Sequence, residues 1–262
     1  MGKGLKKIQK HQKKIPHLPL ISSIMIEKKD VFGNALWDYH RSPGNQKLIT
    51  WTSLTEEDPL SISYFFRTFD QMPLLEQKAL EITHGKVLDV GCGAGSHSLF
   101  LQNERNLSIT GLDNSPAAIK IASERGLLHT VQQSIFDFNG DTFDTLLLLM
   151  NGPGICGSLE RLQLLLEKLK SLLNPKGQIL LDSSDLIYLF DESPEGEKII
   201  PANHYYGELE YGLRYKNNTE TFPWLYVDYG LLSHTARQVG FETTLVLEGE
   251  NWDYLARLTR EY

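Results

Sequence analysis

The hydrophobic pattern divides this chain into three stretches with different periods. From position 86 to 182, short apolar runs alternate with segments of helical periodicity. The runs at 86–90, 107–112, 130–135, 143–150 and 178–182 predict five strands. The fourth is continuous and apolar, as a strand covered on both faces should be. Between the runs lie three predicted helices. One ends near Asn103. One opens with Ser115 as N-cap and Pro116 at its first position and stops at Gly126. One is strongly periodic over 158–173. Asn174-Pro175-Lys176-Gly177 reads as a turn before the fifth strand. Such alternation predicts a parallel α/β sheet.

The flanks are patterned differently. Residues 31–40 predict a short helix with Val31, Ala35 and Leu36 near one face, followed by a turn at 41–45 and an extended piece at 48–51. Asp58-Pro59 looks like a helix start leading into 61–67. A second helix is expected over 72–83, where Leu74, Leu75, Lys78, Ala79 and Ile82 fall at helical spacing and Gly85 suits the end. Residues 31–83 therefore read as an N-terminal helical cap, and residues 84–262 as the main domain. After Asp185 the alternation stops. Over 208–216 the period becomes two, with Leu209, Tyr211, Leu213 and Tyr215 on one face and Glu208, Glu210, Arg214 and Lys216 on the other. With a turn at Asn217-Asn218 and an aromatic return over 220–229, this predicts an antiparallel β-hairpin inside an insertion, 186–229. A helix over 231–239 and a strand pair at 241–247 and 254–259 complete the chain.

The first strand, Val87-Leu88-Asp89-Val90, breaks into Gly91-Cys92-Gly93-Ala94-Gly95 and then a helix. Alternate glycines permit positive φ and let the backbone approach a ligand without a Cβ in the way. N–H groups at the start of the helix face whatever is held there. The dinucleotide pattern G-x-G-x-x-G would need glycine at position 96, which is Ser96. Asp89, two residues before the first glycine, suits a ligand with an ammonium group; in a ligand-free turn it would cap backbone N–H groups. Asp113 closes the second strand, 22 residues past Gly91. An acid there can accept both hydroxyls of a ribose. The other role open to it is capping the next helix, for which Ser115 is better placed.

The pattern D-x-G-x-G-x-G, followed by this order of elements, resembles the signature of class I S-adenosylmethionine-dependent methyltransferases. The likeness covers roughly 72–185 and the chain from Leu231 onward. With the Tyr-rich hairpin, the arrangement is similar to uncharacterised bacterial small-molecule methyltransferases. The resemblance implies a Rossmann-like, seven-stranded, mostly parallel sheet with helices on both faces and one antiparallel strand near its edge. It implies S-adenosylmethionine as cofactor, held by Asp89, Gly91, Cys92, Gly93 and Gly95 in the loop and by Asp113 and Asn114 after the second strand. Ser134 and Ile135 stand where such enzymes place an acid and a backbone N–H against adenine; serine in place of the acid is a departure. Asn151 ends the fourth strand. It is followed by Gly152, so the Asn-Pro-Pro-aromatic motif of amino-methylating enzymes is not met, and Asn151 is either a ligand contact or a turn residue. Arg67 can pair bidentately with the cofactor's carboxylate or form a surface ion pair. If the acceptor must lose a proton, the base candidates lie in the insertion: His204, Tyr205, Tyr206, Tyr226 and Asp228. For the aromatic ones the alternative is packing within the hairpin. The acceptor itself does not follow from the fold.

Composition narrows the class further. Hydrophobic content of 41% and charged content of 23% are ordinary for a globular protein. The longest wholly apolar run, 146–150, is far short of a membrane span, and no secretory h-region is visible. Cys92 and Cys156 make no disulfide or metal framework, and the histidines are scattered. The expectation is a cytoplasmic protein without membrane or metal. Six of the 26 basic residues fall in 1–14, leaving 20 against 33 acids and a net −13 over 15–262. Such a surface repels phosphate backbones, which favours a small-molecule substrate over nucleic acid. Residues 1–30 read as a basic, disordered tail. The rival readings are a tail that tethers the enzyme to RNA and a cofactor-binding scaffold without catalysis. Nothing in the sequence speaks to oligomeric state.

Overall fold

The computed structural model describes residues 30–261, so the expected tail falls almost wholly outside the described residues. Helix α1 (Val31–Arg41) comes first. Asp30 caps it by accepting from Gly33 N at 2.8 Å, and Val31, Ala35 and Leu36 lie on its buried face. A hairpin follows, β1 (Lys47–Thr52) and β2 (Thr55–Ser61). Here the structure departs from the sequence reading. Asp58-Pro59 does not start a helix; both residues sit in β2, with Pro59 opposite Ile49. β2 is an edge strand, where a residue without an N–H leaves no neighbour unbonded. Ile62–Phe66 makes only a 3₁₀ turn, and regular helix resumes in α2 (Leu74–Ile82).

The main body follows the periodicity. It runs β3 (Lys86–Val90), α3 (Ser96–Asn103), β4 (Ser108–Asp113), α4 (Pro116–Glu124), β5 (Thr130–Gln132), β6 (Phe143–Leu148), α5 (Leu159–Leu172) and β7 (Leu173–Ser184). Ser115 caps α4 through Ala118 N at 3.0 Å. β5 is shorter than its apolar run because the chain turns at Ser134, whose carbonyl accepts from Asp137 and Phe138. β7 begins earlier than expected. Leu173 pairs with Phe143 and Gln178 with Thr145, so Asn174-Pro175-Lys176-Gly177 is a bulge within one strand. The chain ends with β8 (Glu208–Tyr215), β9 (Asn218–Leu225), α6 (Tyr229–Gln238), β10 (Phe241–Glu248) and β11 (Asp253–Arg260).

Seven strands form the central sheet in the order β10-β11-β7-β6-β3-β4-β5, and β11 runs opposite to the other six. Alternation along the strands divides their side chains between two apolar layers. Leu88, Leu146, Leu148, Ile179 and Leu181 pack with Leu162, Leu165, Leu166 and Leu169 of α5. Val87, Leu147 and Leu180 pack with Leu75, Ala79 and Leu80 of α2 and Leu101 of α3. Both faces are thus covered, which is why the strands read as continuous apolar runs.

The inserted hairpin forms as its alternation predicts, but its partner strand is not announced by the sequence. β1 pairs with β8, giving the order β2-β1-β8-β9, so the cap's hairpin and the inserted hairpin form one antiparallel sheet. Trp51 lies opposite Gly212, and a Cβ there would come within 2.0 Å of the indole. The hairpin's own turn is Lys216-Asn217, one residue earlier than expected, with Lys216 in the left-handed region. Among the described residues no helix is long and apolar enough to cross a membrane.

Candidate active site

The glycine loop sits at the carboxyl end of β3, where ligands gather in open parallel sheets. Gly91, Gly93 and Gly95 take φ of 77°, 53° and 82°. Gly91 N and Cys92 N donate to Leu112 O at 2.7 and 3.1 Å, which ties the loop to the end of β4. Among the described residues a Cβ on Gly91 or Gly93 would meet nothing within 4 Å, so both glycines front open space there. Gly95 does a different job: its Cβ would lie 3.2 Å from Ala122, so it lets α3 approach α4.

Asp113 braces this loop. Its carboxylate accepts from Gly93 N and from Ser115 N, each at 2.9 Å. Burial pushes its carboxyl above the ordinary range, opposed by these two N–H groups. Asn114 is exposed beside it. The cap reaches the same place, since Asp30 accepts from Ser115 Oγ at 2.7 Å. Cys92 is buried, its sulfur lies against Gly111, and burial drives its thiol far up. Asp89 is also buried and accepts from Ser98 Oγ at 2.6 Å. Burial raises its carboxyl, while His97 and Ser98 act the other way. Past β5, Ile135 belongs to the core, and Ser134 Oγ accepts from Phe136 N at 3.3 Å.

A buried row of charge borders the loop. Arg67 Nη2 donates to both Glu76 oxygens at 2.8 Å, and Glu76 Oε2 lies 2.6 Å from His97 Nε2. The guanidinium stacks 3.5 Å from the ring centroid of Tyr64. Arg67 and Glu76 side chains are only 8% and 6% exposed, so this is no surface ion pair. Arg67 Nη1 is buried and makes no hydrogen bond among the described residues. Burial would raise Glu76, but the bond and charge of His97 and then Arg67 outweigh it and hold the carboxyl low. Burial likewise pulls His97 down, but Glu76 and Asp89 outweigh burial and Arg67, so its net shift is upward.

That shift has a testable sign. A raised imidazole stabilises the fold in full below the unfolded value, about 6.5, and the contribution is lost as pH rises through the folded value. The stability gap between the wild type and His97→Phe should therefore be widest near pH 6 and shrink toward pH 9. Thermal melts across that range check it; a gap that widens with pH contradicts a charged His97.

The rim of β6 is strained. Met150 and Asn151, neither a glycine, take φ of 64° and 59°. Such backbone persists only where its surroundings hold it. Asn151 is held three ways: its N donates to Asp182 Oδ2 at 3.0 Å, its Nδ2 to Leu225 O at 3.2 Å, and its Oδ1 accepts from Ser183 Oγ at 2.6 Å. Its side chain joins β6, β7 and β9. Asp182 Oδ1 is buried without a hydrogen bond among the described residues, and burial pushes the carboxyl up to about 7.

Of the insertion's candidate residues, Tyr205 meets Asp228 and packs against Tyr206, while His204 and Tyr226 line separate depressions. Asp228 caps α6 through Leu231 N at 2.9 Å and takes the Tyr205 hydroxyl at 2.8 Å. Tyr206 donates to Asp185 at 2.8 Å. His204 is exposed in a shallow depression beside Glu208 and Pro223. Tyr226 alone of the five lines the groove between the two sheets. Cys156 is buried, with its thiol pushed up to about 12.

A family model described as a methyltransferase domain matches residues 83–238. A crystal structure of an S-adenosylmethionine-dependent methyltransferase from Bacteroides fragilis, in complex with S-adenosylhomocysteine, is 41% identical and superposes with a TM-score of 0.82. The match covers 89% of this chain and 96% of that one. The chain belongs to the S-adenosylmethionine-dependent methyltransferases. Two more distant structures share the fold. CcbJ methyltransferase from Streptomyces caelestis has a TM-score of 0.57 at 12% identity, over 73% of this chain and 98% of that one. A Clostridium acetobutylicum S-adenosylmethionine-dependent methyltransferase has 0.54 at 12%, over 74% and 94%. No curated protein matches the chain.

The residues of this methyltransferase fit the cofactor. A ligand can approach the backbone at Gly91 and Gly93, where a Cβ would meet nothing within 4 Å among the described residues, and the unpaired Nη1 of Arg67 lacks the acceptor that a carboxylate provides. Sequence reasoning missed Glu76, His97 and Asp182. The first two meet only through the fold. Asp182 carried a signal, because it lies near the carboxyl end of β7, just past its parallel pairing with β6, on the side where ligands collect.

Proposed function

We propose that this methyltransferase modifies a small or medium-sized acceptor that enters between the two sheets. The supporting observation is a groove of about 450 Å³ lined by Tyr226, between the four-stranded sheet and the ends of β7 and β11. That volume is in the range of small-molecule sites, about 300–1,000 Å³. When bound, S-adenosylmethionine supplies an already activated methyl group on its sulfonium. The chain's part is binding and alignment. The Cβ-free backbone at Gly91 and Gly93 would pack against the nucleoside, Asp113 would accept from its ribose, and Arg67 would hold the carboxylate. Asn151 shapes the rim beside the reacting groups. Tyr64 and Tyr226 exclude water.

The test is incubation with methyl-labelled S-adenosylmethionine and a fractionated cell extract. Label should enter low-mass compounds, and removing residues 1–14 should leave that transfer intact. Label confined to RNA and lost with residues 1–14 contradicts the proposal.

A further inference from the structure

The groove is built for one sign of charge. Trp51, Tyr188, Tyr211 and Tyr226 supply aromatic walls, and Glu56 and Asp58 supply carboxylates from β2. Asp253 of β11 adds a third, and among the described residues no Lys, Arg or His lines it. Glu57, between the two β2 acids, points to the opposite face and pairs with Arg214. No ion pair among the described residues includes Glu56 or Asp58. Aromatic faces attract cations, more strongly as water is excluded. A neutral guest gains only apolar contact from such walls, and an anionic one is repelled by the carboxylates.

A second, independent feature lies at the inner end. Ser184 lines the groove, and Asp182 is two residues back on the same face of β7. Asp182 Oδ2 is fixed by Asn151 N at 3.0 Å, on the strained rim of β6. Oδ1 is buried and unpaired. The Met150 N–H also faces this carboxylate, but no hydrogen bond among the described residues reaches Oδ1, which leaves it open to a donor from outside the chain.

We propose that the acceptor is a cationic amine that enters along this aromatic, acidic groove and donates from nitrogen to Asp182 Oδ1. This rests on the reading of the groove as the acceptor's path. The nitrogen gives its proton to Asp182 Oδ1. Its freed pair then forms the N–CH₃ bond, while the pair of the breaking C–S bond stays on sulfur and cancels the sulfonium charge. The proton on Asp182 leaves to solvent with the product. An acid held near neutrality can take and release a proton at working pH.

Benzylamine, benzyl alcohol and benzoate share one ring and differ in charge, so they serve as probes. Each is titrated calorimetrically into the full-length protein already saturated with S-adenosylhomocysteine. Benzylamine should bind about tenfold more tightly than the alcohol, with benzoate weakest. Replacing Glu56→Gln with Asp58→Asn, on an exposed edge strand, should remove most of that preference and leave the alcohol unchanged. At pH 7, titrations in two buffers of different ionisation enthalpy should show proton release when benzylamine binds. Asp182→Asn, which keeps an acceptor for Asn151 N, should weaken benzylamine and abolish the release; a merely structural residue would not change the proton count. Equal affinity for amine and alcohol, or an Asp182→Asn protein with unchanged affinity and proton release, overturns the proposal. The saturation step separates the two readings. Failure to bind S-adenosylhomocysteine removes both, whereas binding without amine preference removes only the amine.

Discussion

Gly91→Val and Gly93→Val are each expected to lose about 100-fold or more in affinity for S-adenosylhomocysteine, or about 2.7 kcal/mol, while the protein stays folded. Two effects act in the same direction. Both positions hold positive φ, which a β-branched residue adopts only at a cost of about 1–3 kcal/mol. Both also front space that no atom of the described residues fills within 4 Å, so the new side chain would project where the ligand belongs. The core is untouched, because neither glycine packs against it. Gly95→Val should behave differently. Its Cβ meets Ala122 at 3.2 Å, so it should show mainly as lost stability. Calorimetry for binding and circular dichroism melts for folding separate the outcomes. Wild-type affinity in either of the first two variants would mean that the loop is not the binding surface.

Arg67 is expected to produce the second large effect, of mixed kind. Its side chain is buried against Glu76, and Glu76 also holds His97. Removing one member of a buried, hydrogen-bonded pair strands the other, at about 3–5 kcal/mol. Arg67→Ala should therefore lower stability by roughly that amount, and any loss of cofactor affinity would be confounded with it. Arg67→Lys is the cleaner probe. One ammonium can satisfy Glu76, but it has no second nitrogen in the position of Nη1. That variant should keep most of the stability and still bind S-adenosylhomocysteine about tenfold less tightly. Methylthioadenosine, which lacks the amino-acid end, should bind both proteins alike. Denaturant titration and calorimetry make the comparison. A lysine variant with undiminished affinity for S-adenosylhomocysteine would place the carboxylate elsewhere.

The two sheets differ in how far they could be read from the chain. The seven-stranded sheet was visible because its information is local. Val87-Leu88, the apolar run at 146–148 and the Ser115-Pro116 cap each specify their own element, and right-handed crossovers leave few ways to connect them. The second sheet joins Trp51 to Gly212, and no local pattern announces a pairing across that separation. Asp58-Pro59 shows the same limit, since its turn chemistry was overruled by an edge-strand position that depends on the neighbouring strand. In the candidate site, the turn glycines were legible because their spacing carries a backbone requirement, which the positive φ of Gly91, Gly93 and Gly95 meets. Arg67 was legible as a candidate, but its burial was not, because Glu76 and His97 reach it only after α2 and α3 pack. Asn151 was named for a ligand contact or a turn, and both its side-chain atoms are taken by Leu225 and Ser183. Asp228 was named as a base and stands as a helix cap.

A crystal structure of this protein with S-adenosylhomocysteine tests the site most directly. The adenosine should lie on the Gly91–Gly95 loop with ribose hydroxyls on Asp113, and the carboxylate within hydrogen-bond distance of Arg67 Nη1. The sulfur should face the rim formed by Asn151 and Asp182, at the inner end of the aromatic groove. A ligand whose carboxylate leaves Nη1 unpaired, or whose sulfur faces away from that rim, would contradict the assignment of both the cofactor site and the acceptor's path.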